Sequence, residues 1–249
     1  MIIVNTLANT LPINGVKTGD VSERYPNLFT PAPFTFVIWG IIYLLLACFV
    51  IYQFIALKKD KNFADVLYAI GPYFIISSAA NAAWILAWHY NLIPLTVILM
   101  FVILSSLIII SLSLNRLKLS PTEALLVKVP FNLYFGWITV ATIANITVLL
   151  VYLNWNGWGI PEQVWTSIII LVGLVIASLT LKHNESIAYA IAVIWAYLGI
   201  LLKHTSSSGF SGEYPIVIVI TIISLAVLLY ECVFILPDPS EKKWKKPLY

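Results

Sequence analysis

Seven apolar runs, each of about twenty residues, restrict this chain to very few architectures. They fall at about 34–57, 66–88, 93–114, 123–153, 163–182, 187–202 and 215–236, and most of the charge lies between them. At about 1.5 Å per residue, such a run crosses the hydrocarbon core of a bilayer as a helix. Barrel strands would instead alternate apolar and polar residues over about ten positions. Hydrophobic residues make up 61% of the 249 and charged residues 10%, against about a quarter charged in an average soluble domain. A soluble fold of this size cannot hide that much apolar surface. The expected fold is therefore an all-α, polytopic membrane bundle of seven full spans, preceded by a short helical stub in MIIVNTLA. Cys48 and Cys232 both fall in apolar spans and read as reduced packing residues.

The basic residues predict an orientation. The loops after the first, third and fifth spans and the C-terminal tail hold Lys58, Lys59, Lys61, Arg116, Lys118, Lys182, Lys242, Lys243, Lys245 and Lys246, with Lys128 near the start of the fourth span. The opposite side holds Lys17, Arg24 and Lys203. The positive-inside rule then makes the tail cytoplasmic and residues 11–33 external. Trp88, Trp155, Trp158 and Trp165 fall at outer helix ends, where an aromatic belt is expected, and His89 reads as a solvated turn residue. Pro26, Pro31 and Pro33 mark residues 12–33 as a long loop, Ser120 as a cap for the fourth span, and Pro130 with Gly136 as a kink in it. Glu231, near the inner end of the seventh span, is expected to snorkel to the interface.

Three spans carry aromatic and amide groups at matching depth. In the fourth, Tyr134, Trp137, Ala141 and Asn145 are spaced by three, four and four residues and share one helical face. The first span brings Phe36, Trp39 and Tyr43, and the second Ser77, Asn81, Trp84 and Trp88. Counting along the helices, Asn81 and Asn145 lie roughly 12 Å below their outer ends, Trp39 and Trp84 about 8 Å, with Tyr43 near the asparagines and Trp137 deeper. Such a layer serves either as helix–helix contact or as the wall of a pocket opening under the 12–33 loop. No His/Cys/carboxylate set of metal spacing and no Ser/His/Asp set is visible, the seventh span has no Lys for a Schiff base, and nothing suggests a nucleic-acid partner.

Three ordered motifs, Pro31-x-Pro33-Phe34-x-Phe36-x-x-Trp39-x-x-x-Tyr43, Asn81-x-x-Trp84 and Tyr134-x-x-Trp137-x-x-x-Ala141-x-x-x-Asn145, resemble the TspO/MBR family. Its members include the tryptophan-rich sensory proteins and the mitochondrial translocator protein (the peripheral benzodiazepine receptor). The likeness to its five-helix members covers about residues 1–155, with the stub in place of their longer first helix. Residues 9–43 are also similar to a longer bacterial and archaeal branch. The resemblance implies a core over 1–155, three additional helices and a basic tail over 156–249, and residence in a prokaryotic plasma membrane. It further implies a cavity lined by Trp39, Tyr43, Asn81, Trp84, Tyr134, Trp137, Ala141 and Asn145. Its ligand would be hydrophobic and planar, such as a porphyrin or haem (a tetrapyrrole), and a homodimer is a further implied partner. One departure stands out: the family's cholesterol motif needs a Lys or Arg shortly after a Tyr, and Tyr152 has none before Lys182. The leading expectation is a ligand-binding sensor or carrier. A secondary transporter or channel, or a membrane enzyme acting on the bound ligand, are the alternatives.

Overall fold

The computed structural model describes residues 1–10, 13–16, 18–59 and 63–235. Lys17 and Lys61, and the tail with Lys242, Lys243, Lys245 and Lys246, lie outside the described residues. Within them the chain forms α1 (Ile2–Thr10), α2 (Thr18–Glu23), α3 (Ile38–Lys59), α4 (Phe63–His89) and α5 (Ile93–Arg116). The short turn α6 (Pro121–Glu123) and the helices α7 (Val129–Tyr152), α8 (Glu162–Asn184), α9 (Ile187–Thr205) and α10 (Pro215–Ile235) complete it. Seven helical segments are long and apolar enough to cross a membrane, and their bounds match the seven apolar runs closely. The chain is a polytopic helical membrane protein.

Local signals set several boundaries. Ser120 and Glu123 form a reciprocal capping box, with the Ser120 hydroxyl accepting from the Glu123 N–H and the Glu123 carboxylate accepting from the Ser120 N–H. Asn91, with φ of 57°, turns the chain tightly from α4 into α5. Pro130, expected from the sequence to kink the fourth span, lies beside a local break in its regular helical hydrogen bonding. It sits in the first turn of α7, directly after a π turn at Ala124–Lys128 in which the Val129 N–H reaches the Ala124 carbonyl. A proline has no N–H to donate and its ring crowds the carbonyl four residues back, so the extra residue in that turn absorbs the misfit upstream.

The spans are joined by close packing of α4 on α5, α5 on α7 and α7 on α9, with α10 against α8 and α9. Small residues permit the tightest of these approaches. Gly136 faces α9 so closely that a Cβ there would run into the Tyr189 carbonyl oxygen, and a Cβ at Gly199 would run into the Thr35 side chain. Gly136 is thus a contact surface. By contrast, α3 makes fewer close backbone approaches, and its large side chains Trp39, Tyr43 and Phe49 fill the space toward α4 and α7.

Polar side chains inside the bundle pair with one another, as an apolar surround demands. Toward the end bearing Arg116, the Asn115 amide donates to Asn184, Asn184 donates to the Ser111 hydroxyl, and Ser111 donates to Asn132, tying α5, α7 and α8 together. The Tyr189 hydroxyl bonds Thr139, and Tyr197 donates to the Ile170 carbonyl. Helices α8 and α9 are knitted into the earlier spans, and to each other, by these contacts.

Glycine substitutions separate close packing from open surface. Gly136→Ala is expected to cost about 1–3 kcal/mol through overpacking against Tyr189. Gly71→Ala, where nothing lies within 4 Å, is expected to leave stability unchanged or raise it by about 0.5–1 kcal/mol. Thermal unfolding of the two variants in the same detergent distinguishes them, and equal midpoints would remove the close-packing account.

Candidate functional site

The residues between α1 and α3 fold back over one end of the bundle as a roof. Its first half is tied to the end of α4. Asn14 donates to the His89 carbonyl, the Ile13 carbonyl lies 3.0 Å from His89 Nδ1, Thr18 Oγ1 lies 3.2 Å from His89 Nε2, and Trp88 donates its indole N–H to the Thr18 carbonyl. A carbonyl can only accept, so His89 Nδ1 donates to Ile13, while the Thr18 hydroxyl, able to give or take a hydrogen bond, pairs with Nε2. His89 is fully buried and Trp88 nearly so. Both depart from the sequence expectation of a solvated turn residue and a belt tryptophan. The physical reason is the roof itself, which contains the helix α2 and covers this helix end.

The second half of the roof is tied to the C-terminal helices. Asn27 accepts from the Phe29 and Thr30 N–H groups and folds that turn. The Leu28 N–H donates to Glu162 of α8, and its carbonyl bonds His204 Nε2 of α9 at 2.8 Å. The Ala32 N–H donates to the Gly199 carbonyl and Trp195 donates to the Thr35 carbonyl. Nothing in residue spacing announced these bonds.

Beneath the roof the aromatic side chains of α3, α4 and α7 meet. Trp39 stacks on Tyr43 with ring centroids 5.3 Å apart, and it touches Trp84 at 6.1 Å, Tyr134 at 5.9 Å and Trp137 at 5.9 Å. Trp84 stacks on Trp88 at 5.6 Å, and Phe36 meets Trp137 edge to face at 5.9 Å. Each such pair is worth about 0.5–1.5 kcal/mol beyond the area it buries. Between them lies a small cavity walled by Trp39, Trp84, Trp88, Trp137, Ala141 and Asn145, with Ser22, Thr30 and Pro31 of the roof above. The space open to the centre of a water molecule is about 40 Å³.

The eight candidate residues divide into two layers. Trp39, Trp84, Trp137, Ala141 and Asn145 face the cavity. Tyr43, Asn81 and Tyr134 lie outside its lining, where Asn81 is a joint between helices. Its oxygen accepts from Asn5 of α1 at 2.7 Å and its nitrogen donates to the Tyr134 hydroxyl at 3.0 Å. The second asparagine is held differently: Asn145 accepts from the Trp84 indole N–H at 3.1 Å and donates to the Ala141 carbonyl at 2.9 Å. Two buried polar atoms in this region have no hydrogen-bond partner, the Tyr43 hydroxyl and the Trp137 indole nitrogen. Trp88, Ser22 and Thr30 belong to the cavity wall although they lie outside the sequence motifs, and Pro31 belongs to it although its place in the first motif marked only a loop. The alignment of Trp84 and Trp88 one helical turn apart was the available signal for Trp88.

A further tryptophan group, Trp155, Trp158 and Trp165, clusters at the same end, with centroids 5.1 to 5.7 Å apart. It packs away from the cavity, and the Trp165 N–H is held by the Gly157 carbonyl. Among the described residues, no group of three His, Cys, Asp or Glu side chains is placed to hold a metal ion.

Asn81→Ala would take from the Asn5 amide the shorter of its hydrogen bonds, leaving the one to the Met1 carbonyl, and would leave Tyr134 without its donor. The expected cost is about 1–3 kcal/mol, with faster amide hydrogen exchange in α1. An unchanged midpoint together with unchanged exchange at residues 2–10 would show that the joint carries no load.

Three ordered aromatic and amide motifs on successive spans, converging under a folded roof, agree with what a search of family models finds. The family described as TSPO-like protein matches residues 1–234, a stretch that includes helices α8, α9 and α10. No curated protein and no solved structure gives a match. The chain belongs to the TSPO-like family of membrane proteins.

Proposed function

We propose that this protein binds a hydrophobic, planar small molecule between α3, α4 and α7 and acts as a membrane sensor or carrier for it. The observation that carries this reading is the aromatic cavity under the roof, with tryptophan side chains from all three helices along its wall. Indole faces suit a flat conjugated ligand, and a few polar groups among them fix its orientation. The unpartnered Trp137 N–H supplies one such group: it is a buried donor without an acceptor, and an oxygen on the ligand would satisfy it. A planar ring bearing carboxylates, such as a porphyrin, meets both requirements.

Size sets a condition on this reading. Pockets for ligands of this kind measure about 300–1,000 Å³, far more than the space beneath the roof. Binding therefore requires Trp39, Trp84 and Trp137 to separate and the roof over Thr30 and Pro31 to lift. The orientation that goes with this reading puts the roof outside the cell and the end bearing Arg116 and Lys182 in the cytoplasm, of a prokaryotic plasma membrane by family resemblance.

Titrating the detergent-solubilised protein with protoporphyrin IX while following tryptophan fluorescence tests the proposal. Saturable quenching is expected, weakened by Trp39→Phe, Trp84→Phe and Asn145→Ala in folded variants. Trp137→Phe keeps the ring and removes the donor, so it should weaken protoporphyrin binding by about tenfold and binding of the dimethyl ester much less. Linear quenching that none of the substitutions changes would mean partition into the micelle and would sink the proposal.

A further inference from the structure

At the end of the bundle away from the roof, α8 and α10 leave a cleft on the lipid-facing surface. It is lined by Lys182 from α8 and by Ile223, Val227, Tyr230, Glu231 and Phe234 from α10, and measures about 690 Å³. Glu231 neither stands alone nor simply reaches outward: Lys182 Nζ lies 3.3 Å from its Oε1. The two partners are unequally exposed, with the Lys182 side chain 66% accessible and that of Glu231 12%. The other carboxylate oxygen, Oε2, is buried and has no hydrogen-bond partner.

A helix–helix ion pair accounts for one oxygen and leaves the other unexplained. A carboxylate accepts on both oxygens, and a buried one without a donor is costly. Lys182 has the converse surplus, because an ammonium carries three donors and most of this one faces outward. The pair thus offers two unused donors on Lys182 and one unused acceptor on Glu231. Lys182 lies two residues from the end of α8 and Glu231 four from the end of α10. At about 1.5 Å per residue, both lie within about 6 Å of the helix ends, the depth of phospholipid headgroups. Toward the bilayer centre the cleft becomes apolar. On that side of Glu231 it is lined by Val227 and the exposed Ile223, while the exposed rings of Tyr230, beside Glu231, and Phe234, nearer the helix end, pack together at 4.4 Å.

We propose that this cleft is a binding site for a phospholipid with a primary-ammonium headgroup, a phosphatidylethanolamine. Its phosphate would meet Lys182, its ammonium would donate to Glu231 Oε2, and an acyl chain would run past Tyr230 along Val227 and Ile223 toward the bilayer centre. Charge complementarity selects this occupant. A trimethylammonium headgroup has no N–H to give the carboxylate, and an anionic headgroup lacking an amine would meet Lys182 but bring its negative charge against Glu231. The site is separate from the cavity beneath the roof and independent of what binds there.

The test uses the delipidated full chain, offered equal amounts of phosphatidylethanolamine, phosphatidylcholine and phosphatidylglycerol with identical acyl chains. Retained lipid is read by native mass spectrometry. Phosphatidylethanolamine should be retained over phosphatidylcholine by about tenfold, the worth of one charge-assisted hydrogen bond. The N-methyl and N,N-dimethyl forms should still bind, because each keeps an N–H. Glu231→Gln should abolish the preference, and Lys182→Gln should lower phosphatidylethanolamine retention. Equal retention of the ethanolamine and choline lipids overturns the proposal, as does a preference for phosphatidylglycerol or a preference that survives Glu231→Gln. The wild-type contrast between headgroups needs no variant to fold.

Discussion

A polar side chain buried within a membrane bundle has no water to fall back on, and Asn81 shows how strongly that constrains a fold. It accepts from Asn5, donates to Tyr134, and so locks a helix of nine residues onto two spans. In water such bonds compete with solvent and contribute little net; among apolar side chains their loss leaves amide and hydroxyl groups stranded. The pairing of Trp84 with Asn145 and the Asn115–Asn184–Ser111–Asn132 chain obey the same rule at other depths. The apolar packing admits many sliding arrangements of parallel cylinders. These few directional bonds select one.

Much of the architecture was legible in the sequence because bilayer thickness fixes span length, and apolar run length reports it directly. The Ser120 capping box was legible too, since it depends on residues three apart. Spacing put Trp137, Ala141 and Asn145 on one face of the fourth span, the family resemblance joined Trp39 and Trp84 to them, and the cavity wall contains all five. What it concealed was long-range. Asn5 meets a residue 76 positions away, and His204 meets one 176 away, so no local pattern announces either bond. Trp88 and His89 looked like boundary residues because they end a span. They are buried because a roof that proline punctuation marked only as loop folds over them. Pro130 suggested a bend because it stands within an apolar run, and the π turn just before it is a local feature that no residue pattern announced.

The docking of α9 carried a signal of a different kind. Ala188, Ala192, Ala196 and Gly199 recur along it at helical spacing, and its near neighbour on α7 is Gly136. Small residues at that spacing let helix backbones approach closely in a bilayer. The pattern marks a surface for close approach without naming its partner. Only the fold shows that the partners are the fourth span and, through Gly199 and Thr35, the root of the first.

The roof's attachments divide labour unevenly along the chain. The cavity walls come from α3, α4 and α7, but the roof segment around Leu28 and Ala32 is fastened to Glu162, Gly199 and His204 of α8 and α9. Those two helices run the full depth of the bundle to Asn184 and Ile187 at its other end. Displacing the roof therefore does mechanical work against a pair of rods anchored on the far side. The roof segment cannot shift without breaking its bonds to two helices that contribute nothing to the cavity wall.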